Sequence, residues 1–153
     1  MFWLDWCETD NACLVLFFIF RRPIVTDMAK EACAAIEKAA NIKPSDPEIA
    51  LDLTKALFNA GRKNEAISRG LKTIAQLPPG YDTFRSGLAH MCVGLMLLAE
   101  KQPDEGLGML EAAKKLHPAG YPQMDIDSLI ALAKSEIAKS PASRQTISLA
   151  LPL

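Results

Sequence analysis

Three short blocks of this chain repeat each other. Each places an acidic residue and then alanine or glycine early in a predicted helix, with a proline after that helix ends. The blocks are Glu31-Ala32 with Pro44, Glu65-Ala66 with Pro78, and Glu105-Gly106 with Pro118, at spacings of 34 and 40 residues. Self-similarity at this period is typical of helical repeats, in which each unit buries its apolar face only against its neighbours. The blocks therefore predict an all-α protein that works by presenting a surface to a partner.

Composition agrees with one soluble globular domain. The 153 residues are 50% hydrophobic and 23% charged, which is enough for a substantial core. The net charge is -1 at pH 7, and lysine and arginine are dispersed along the chain. No general attraction to nucleic acid or to an anionic membrane surface is expected, so membrane association would be indirect.

The four cysteines are Cys7, Cys13, Cys33 and Cys92, and none forms a Cys-x-x-Cys pair. Cys33 and Cys92 fall inside apolar helical patterns, so we interpret them as small buried hydrophobes in a reducing compartment. Cys7 and Cys13 could form a disulfide. With no histidine nearby, no metal site is expected there.

The longest apolar run extends from Ala12 to Phe20. It is well short of the ~20 residues that a membrane-spanning helix needs. The residues before it are acidic rather than basic, unlike a secretory signal. We therefore predict a cytoplasmic protein.

The segment 1–25 differs from the rest, since it holds both tryptophans and four of the six phenylalanines. Asp10 or Asn11 would cap a helix there, and Pro23 would end it. The run LVLFFIF also has strong strand propensity, so both interpretations remain open.

From residue 26 to 139 the pattern predicts helices separated by prolines and glycines, followed by a loose tail over 140–153. The expected helix starts are Thr26 or Asp27, Ser45 to Pro47 with a capping box to Glu48, the turn at Arg62-Lys63, Asp82, Pro103 and Asp125. Gly61 is expected to end the second of these helices as a left-handed cap.

This layout resembles the tetratricopeptide repeat (TPR) family over about Asp27 to Gly120. The clearest unit, Pro47 to Gly80, has the family's length of 34 residues. Its matching positions are Ala50, Leu53 and Leu57 in the first helix, Gly61 at the turn, Ala66 where the helices cross, and Pro78. The unit from Gly87 to Gly120 matches the family pattern at Val93-Gly94, Leu97, Gly106, Leu110, Ala113 and Pro118. The earliest unit is represented by Ala32, Ile36, Ala39 and Pro44.

The chain also departs from the family pattern. Gly70 and Thr73 replace the expected side chains, and Lys101 stands where a turn glycine belongs. Pro23 would interrupt the first helix of the earliest unit.

The resemblance implies an antiparallel helix-pair superhelix, an α–α solenoid, whose first helices line a concave groove. That groove would receive a peptide or helix of another protein. Its residues would be Glu48, Leu51, Asp52, Lys55, Phe58 and Asn59 from the middle unit, and Leu88, Met91, Cys92, Leu95 and Leu98 from the later one.

The later set is almost wholly apolar, which leaves two interpretations open. It is an open binding strip, also suited to self-association into a homo-oligomer, or it is covered by the C-terminal capping helix that begins at Asp125 or by the N-terminal aromatic segment. On the first interpretation, Leu95→Asp would weaken binding and lower the melting temperature only modestly.

Some members of the family bind the C-terminal carboxylate of chaperones through cations on several groove helices. Lys55 and Asn59 lie on the predicted groove side, but the later unit offers no lysine or arginine at the groove positions. Since a carboxylate would lack its cationic fork, we do not expect this specialised role.

No catalytic residue, metal site or cofactor is predicted. His90 and His117 are the only histidines, and His90 occupies a helix packing position. Gly106 and Gly108 lie within a predicted helix and do not form a phosphate loop.

The sequence leaves two possible functions open. The first is an interaction scaffold or adaptor that binds a peptide or helix in the groove. The second is a structural or assembly subunit that docks to a larger or membrane-associated complex through its aromatic segment 1–25. Against the second, the same aromatic residues would pack on the helix that begins near Met28 and complete the first unit.

Overall fold

The computed structural model describes residues 26–121 and 125–140. Within them the chain is helical and contains no strand, which confirms the predicted all-α class. The segment 1–25 and the tail beyond residue 140 lie outside the described residues, as do the predictions made for them. The helices are α1 (Thr26–Ile42), α2 (Pro47–Asn59), α3 (Lys63–Ala75), α4 (Thr83–Ala99), α5 (Pro103–Leu116) and α6 (Ile126–Lys139).

Aspartate side chains start three of these helices. The Asp46 carboxylate accepts from the main-chain N–H groups of Glu48 and Ile49, at 3.0 and 3.3 Å. Asp46 is thus the N-cap of α2, and the capping box predicted from Ser45 is wrong by one residue. Asp82 and Asp125 cap α4 and α6 in the same way, as the sequence predicted.

Left-handed residues follow α2 and α4. Gly61 has φ 84° and Lys101 has φ 61°. In both cases three residues, 60–62 and 100–102, connect the helix to the next one. The short connections bring α3 against α2 and α5 against α4, the two pairs of helices that pack most extensively.

Each helix packs mainly on the helices next to it in the chain, and α2 also contacts α4. One core cluster joins α1 to α4, through Cys33, Leu53, Ala56, Leu57, Ala66, Ile67, Cys92, Val93, Met96 and Leu97. The other joins α4 to α6, through Met91, Leu95, Leu110, Ala113, Tyr121, Ile126, Leu129, Ile130 and Ala133. Since α4 contributes to both clusters, it is buried on opposite faces.

Small residues set the closest helix contacts. A Cβ built on Gly106 would lie 3.0 Å from the carbonyl oxygen of Gly94 on α4, and Ala66 is fully buried. A Cβ on Gly70 would lie 2.6 Å from Val93, so glycine at this position lets α3 approach α4. Ala32 is exposed, and the helix that it was expected to cross precedes residue 26 and lies outside the described residues. Its neighbour Cys33 makes the buried contact of α1.

Candidate functional site

The predicted groove residues of α2 form a largely polar face. Glu48, Asp52 and Asn59 are exposed. Lys55 is half-buried, and its ammonium group pairs with the Asp52 carboxylate one turn away at 3.1 Å. Leu51 is the exception, since only 9% of its surface is accessible.

Glu48 joins the start of α2 to the start of α4. Its carboxylate accepts from the Tyr81 hydroxyl at 2.6 Å and from the Arg85 guanidinium at 2.8 Å. The Tyr81 hydrogen bond, with support from Arg85, lowers the pKa of Glu48. Burial and the same bond raise the pKa of Tyr81. The carboxylate is therefore held ionised at this end of the face.

Phe58 lies at the other end of α2, half-buried against the first core cluster. The Lys63 ammonium lies 5.6 Å from the centre of its ring and 2.8 Å from the carboxylate of Glu100. Since Glu100 follows α4, this contact links the C-terminal end of α4 to the N-terminal end of α3.

The apolar groove positions of α4 are mostly interior. Met91, Cys92 and Leu95 are 0%, 5% and 3% exposed, so the prediction that they line an open surface is wrong. Met91 and Leu95 belong to the second core cluster, together with apolar residues of α6. Leu88 and Leu98 are half-buried at the edge of that cluster. The strip is therefore part of the interior that α4 shares with α5 and α6, and it is not an open surface.

No sequence pattern predicted Tyr81 and Arg85, which complete the polar end of the α2 face. Tyr81 lies in the connection before α4. Arg85 lies in the first turn of α4, before Leu88, which is the first predicted groove residue of that helix. Their partner Glu48 is more than thirty residues away in the chain. The periodicity of a single helix does not predict a contact between residues so far apart in the chain. The Asp82 cap, which fixes where α4 begins, was the one available signal.

Both histidines make contacts within the fold. Nδ1 of His90 lies 2.8 Å from the Ser86 carbonyl oxygen of the preceding turn. His117 packs edge-on against Phe84 with ring centres 5.3 Å apart. In residues 26–121 and 125–140, no group of three or more histidine, cysteine, aspartate or glutamate side chains is placed to hold a metal ion.

Cys33 and Cys92 are both free and buried, as the sequence predicted. Burial raises the pKa of the Cys92 thiol to about 11, with the nearby charges of Lys55 and Asp52 acting in opposite directions. A thiol with so high a pKa is protonated at neutral pH and is a poor nucleophile.

A polar cleft of about 300 Å³ lies between α1, α2 and α3. Of its two acids, Glu37 binds Arg62 at 2.7 Å and Asp46 caps α2. Arg62 also holds Glu65 through two hydrogen bonds of 2.8 Å, so it ties α1 to α3. The acids of this cleft thus have structural partners.

Of the six helices described above, none is both long and apolar enough to cross a membrane. Comparison with protein-family models, with curated proteins and with solved structures found no match for this chain.

Proposed function

We propose that the helices form an antiparallel helix-pair superhelix of the TPR kind, and that the chain is a scaffold for protein–protein interaction. The observation behind this proposal is that the pairs α2–α3 and α4–α5 repeat the same construction. Each first helix ends in a left-handed residue, at Gly61 and at Lys101, and a connection of three residues follows. A small buried residue, Ala66 or Gly106, is then the fourth residue of the return helix. Repetition of one packing unit is what builds a superhelix.

The proposed binding surface is the polar face of α2, bordered by the half-buried side chains of α4. Its residues are Glu48, Asp52, Lys55 and Asn59, with Phe58, Leu88 and Leu98 at the edges. Met91, Cys92 and Leu95 are excluded from it because they are buried. A partner peptide or helix would meet charges and an amide on α2 and half-buried apolar side chains beside them, which together offer hydrogen bonds and apolar contacts.

The test begins with a peptide selected from a displayed library against the full chain. Its affinity is then measured by fluorescence anisotropy with the parent protein and with single variants. Lys55→Glu reverses the charge at the middle of the face, and we expect it to weaken binding at least about tenfold, as loss of a central charged contact does. Lys72→Glu makes the same change on the exposed side of α3 and should leave the affinity unchanged.

Two results would contradict the proposal. One is equal loss of affinity in both variants, which would show a general charge effect. The other is a selected peptide whose binding ignores Lys55→Glu and Asn59→Ala alike. Melting curves of the variants establish that each one is folded.

No catalytic activity is proposed. We place the protein in the cytoplasm, because Cys33 and Cys92 are free and serve as core residues, a use of cysteine that suits a reducing compartment.

A further inference from the structure

The polar cleft between α1, α2 and α3 uses its acids and its bases differently. Its acids are Glu37, which binds Arg62, and Asp46, which accepts from the two main-chain N–H groups that it caps. Its bases are Lys43 and Arg69. Within the part of the chain that the structure describes, neither basic side chain has an ion pair or a hydrogen bond. The cleft therefore has donors to offer a ligand, while each of its carboxylates already accepts from a partner.

The main chain fixes both bases at the cleft. Lys43 follows α1 directly, where its N–H donates to the Ala39 carbonyl oxygen at 3.1 Å and its own carbonyl oxygen accepts from the Asp46 N–H at 3.2 Å. Arg69 lies in the middle of α3. The two cationic side chains thus extend from ordered backbone in two different elements, which is the arrangement that holds a binding site in place.

Apolar side chains form much of the remaining wall of the cleft. Leu53 is buried in the first core cluster, and Ala40 and Ala50 are half-buried. The volume of about 300 Å³ lies at the small end of the range for ligand sites in proteins. A ligand that matches this wall and these donors combines one anionic group with a short hydrocarbon body.

We propose that this cleft binds a small organic carboxylate, whose oxygens accept from Arg69 and Lys43 and whose hydrocarbon body contacts the apolar wall. A guanidinium group presents paired N–H donors in the geometry of the two oxygens of a carboxylate. An ammonium group adds a second charged donor without a fixed direction. The cleft residues do not belong to the proposed peptide-binding surface on α2, so this site is independent of the proposed function.

The charges of the cleft set the affinity that we expect. Its two acids and two bases cancel formally, so a ligand is held by direct hydrogen bonds and apolar contact and not by a long-range field. Both bases are also exposed to solvent, which weakens each charged contact. For a ligand of so few atoms, these conditions predict a dissociation constant of about one millimolar.

The experiment titrates the isotope-labelled full chain with pentanoate and follows the main-chain amide signals by NMR. The signals of Asn41, Lys43 and Arg69 should shift saturably. Arg69→Gln and Lys43→Gln should each raise the dissociation constant at least about tenfold, because each removes a charge-assisted hydrogen bond. Lys72→Gln is the matched control, since Lys72 is exposed on the same helix as Arg69 and does not line the cleft. It should leave the dissociation constant unchanged.

Two further probes test the chemical class of the ligand. Pentan-1-ol has the same hydrocarbon body without the charge, and inorganic phosphate has charge without the body. We expect both to bind at least about tenfold more weakly than pentanoate. The proposal is overturned if pentanoate causes no saturable shift, if either probe binds as well as pentanoate, or if the cleft variants bind like Lys72→Gln. None of these readouts depends on a peptide bound at α2, so this proposal and the proposed function fail separately.

Discussion

The main-chain N–H of Gln102 donates a hydrogen bond to the carbonyl oxygen of Leu97 at 2.9 Å. This hydrogen bond satisfies a carbonyl group in the last turn of α4 with a donor that lies after the helix. It can form because Lys101, the residue before Gln102, adopts the left-handed conformation with φ 61°. Lysine pays a steric penalty there that glycine does not.

The same closure ends α2, where Arg62 donates to Leu57 at 3.0 Å and the left-handed residue is Gly61, at φ 84°. Both ends are Schellman motifs. The motif after α2 has the expected glycine at its left-handed position, whereas the motif after α4 has a lysine there.

We therefore predict that Lys101→Gly raises the free energy of unfolding by about 0.5 to 1 kcal/mol, the left-handed penalty less the extra chain entropy of glycine. Gly61→Ala is the reverse change, and since nothing lies within 4 Å of a Cβ there, its cost is conformational alone. It should destabilise by about 1 kcal/mol. Urea unfolding measures both. A Lys101→Gly protein less stable than the parent would contradict the argument.

Leu95→Asp should unfold the chain or lower its stability by several kcal/mol, because Leu95 is 3% exposed inside the second core cluster. This reverses the expectation drawn from the sequence. The control is Lys55→Asp at the corresponding place on α2, where the side chain is half-buried. We expect this change to lower the free energy of unfolding by only about a few tenths of a kcal/mol. Similar melting temperatures for the two variants would show that the strip is open after all.

Gly87→Ala should destabilise the junction of α4 with the α5–α6 connection. A Cβ at Gly87 would overlap the hydroxyl of Tyr121, which donates to the Ala113 carbonyl oxygen at 2.9 Å in the interior. We expect a loss of about 2 to 3 kcal/mol from overpacking and the broken bond.

Gly108→Ala is the matched change in α5, where a Cβ meets nothing within 4 Å. Helix propensity predicts a gain there of about 0.5 to 1 kcal/mol. In a double-mutant cycle, Tyr121→Phe should reduce the cost of Gly87→Ala, and strict additivity of the two changes would contradict the proposed contact.

Stability should fall at alkaline pH through Cys92. Burial raises the pKa of the Cys92 thiol in the folded chain to about 11, above the ordinary value of 9.0 for an exposed thiol. Because the raised pKa favours the neutral thiol, the stabilising contribution is complete below about pH 9 and is lost as the pH rises through 11. The difference of about two between the folded and unfolded pKa of the thiol corresponds to at most about 2 to 3 kcal/mol of unfolding free energy.

The measurement compares unfolding free energies of the parent and of Cys92→Ala from pH 8 to 11. The difference between them should narrow as the pH rises. A constant difference would mean that the thiol titrates alike in the folded and unfolded chains.

Local signals in the sequence predicted much of this fold. Asp82, Asp125 and Gly61 mark helix ends through hydrogen bonds and dihedral angles that involve residues within one turn, so the sequence pattern was sufficient to find them. The small residues Ala66 and Gly106 were found by their repetition. At the site, the exposed residues of α2 also follow from the helical period alone.

Only the tertiary structure decided which apolar residues are accessible. Leu95 shares the register of the half-buried Lys55 on α2, yet it is buried in the second core cluster together with residues of α5 and α6. The near-continuous apolar sequence of α4 was a signal, since a helix that is apolar all round is usually buried. The sequence by itself determined where the helices begin, end and turn back, because those are short-range interactions. Burial of α4 and the contact of Glu48 with Tyr81 and Arg85 depend on which helices meet in space, and local periodicity does not encode that.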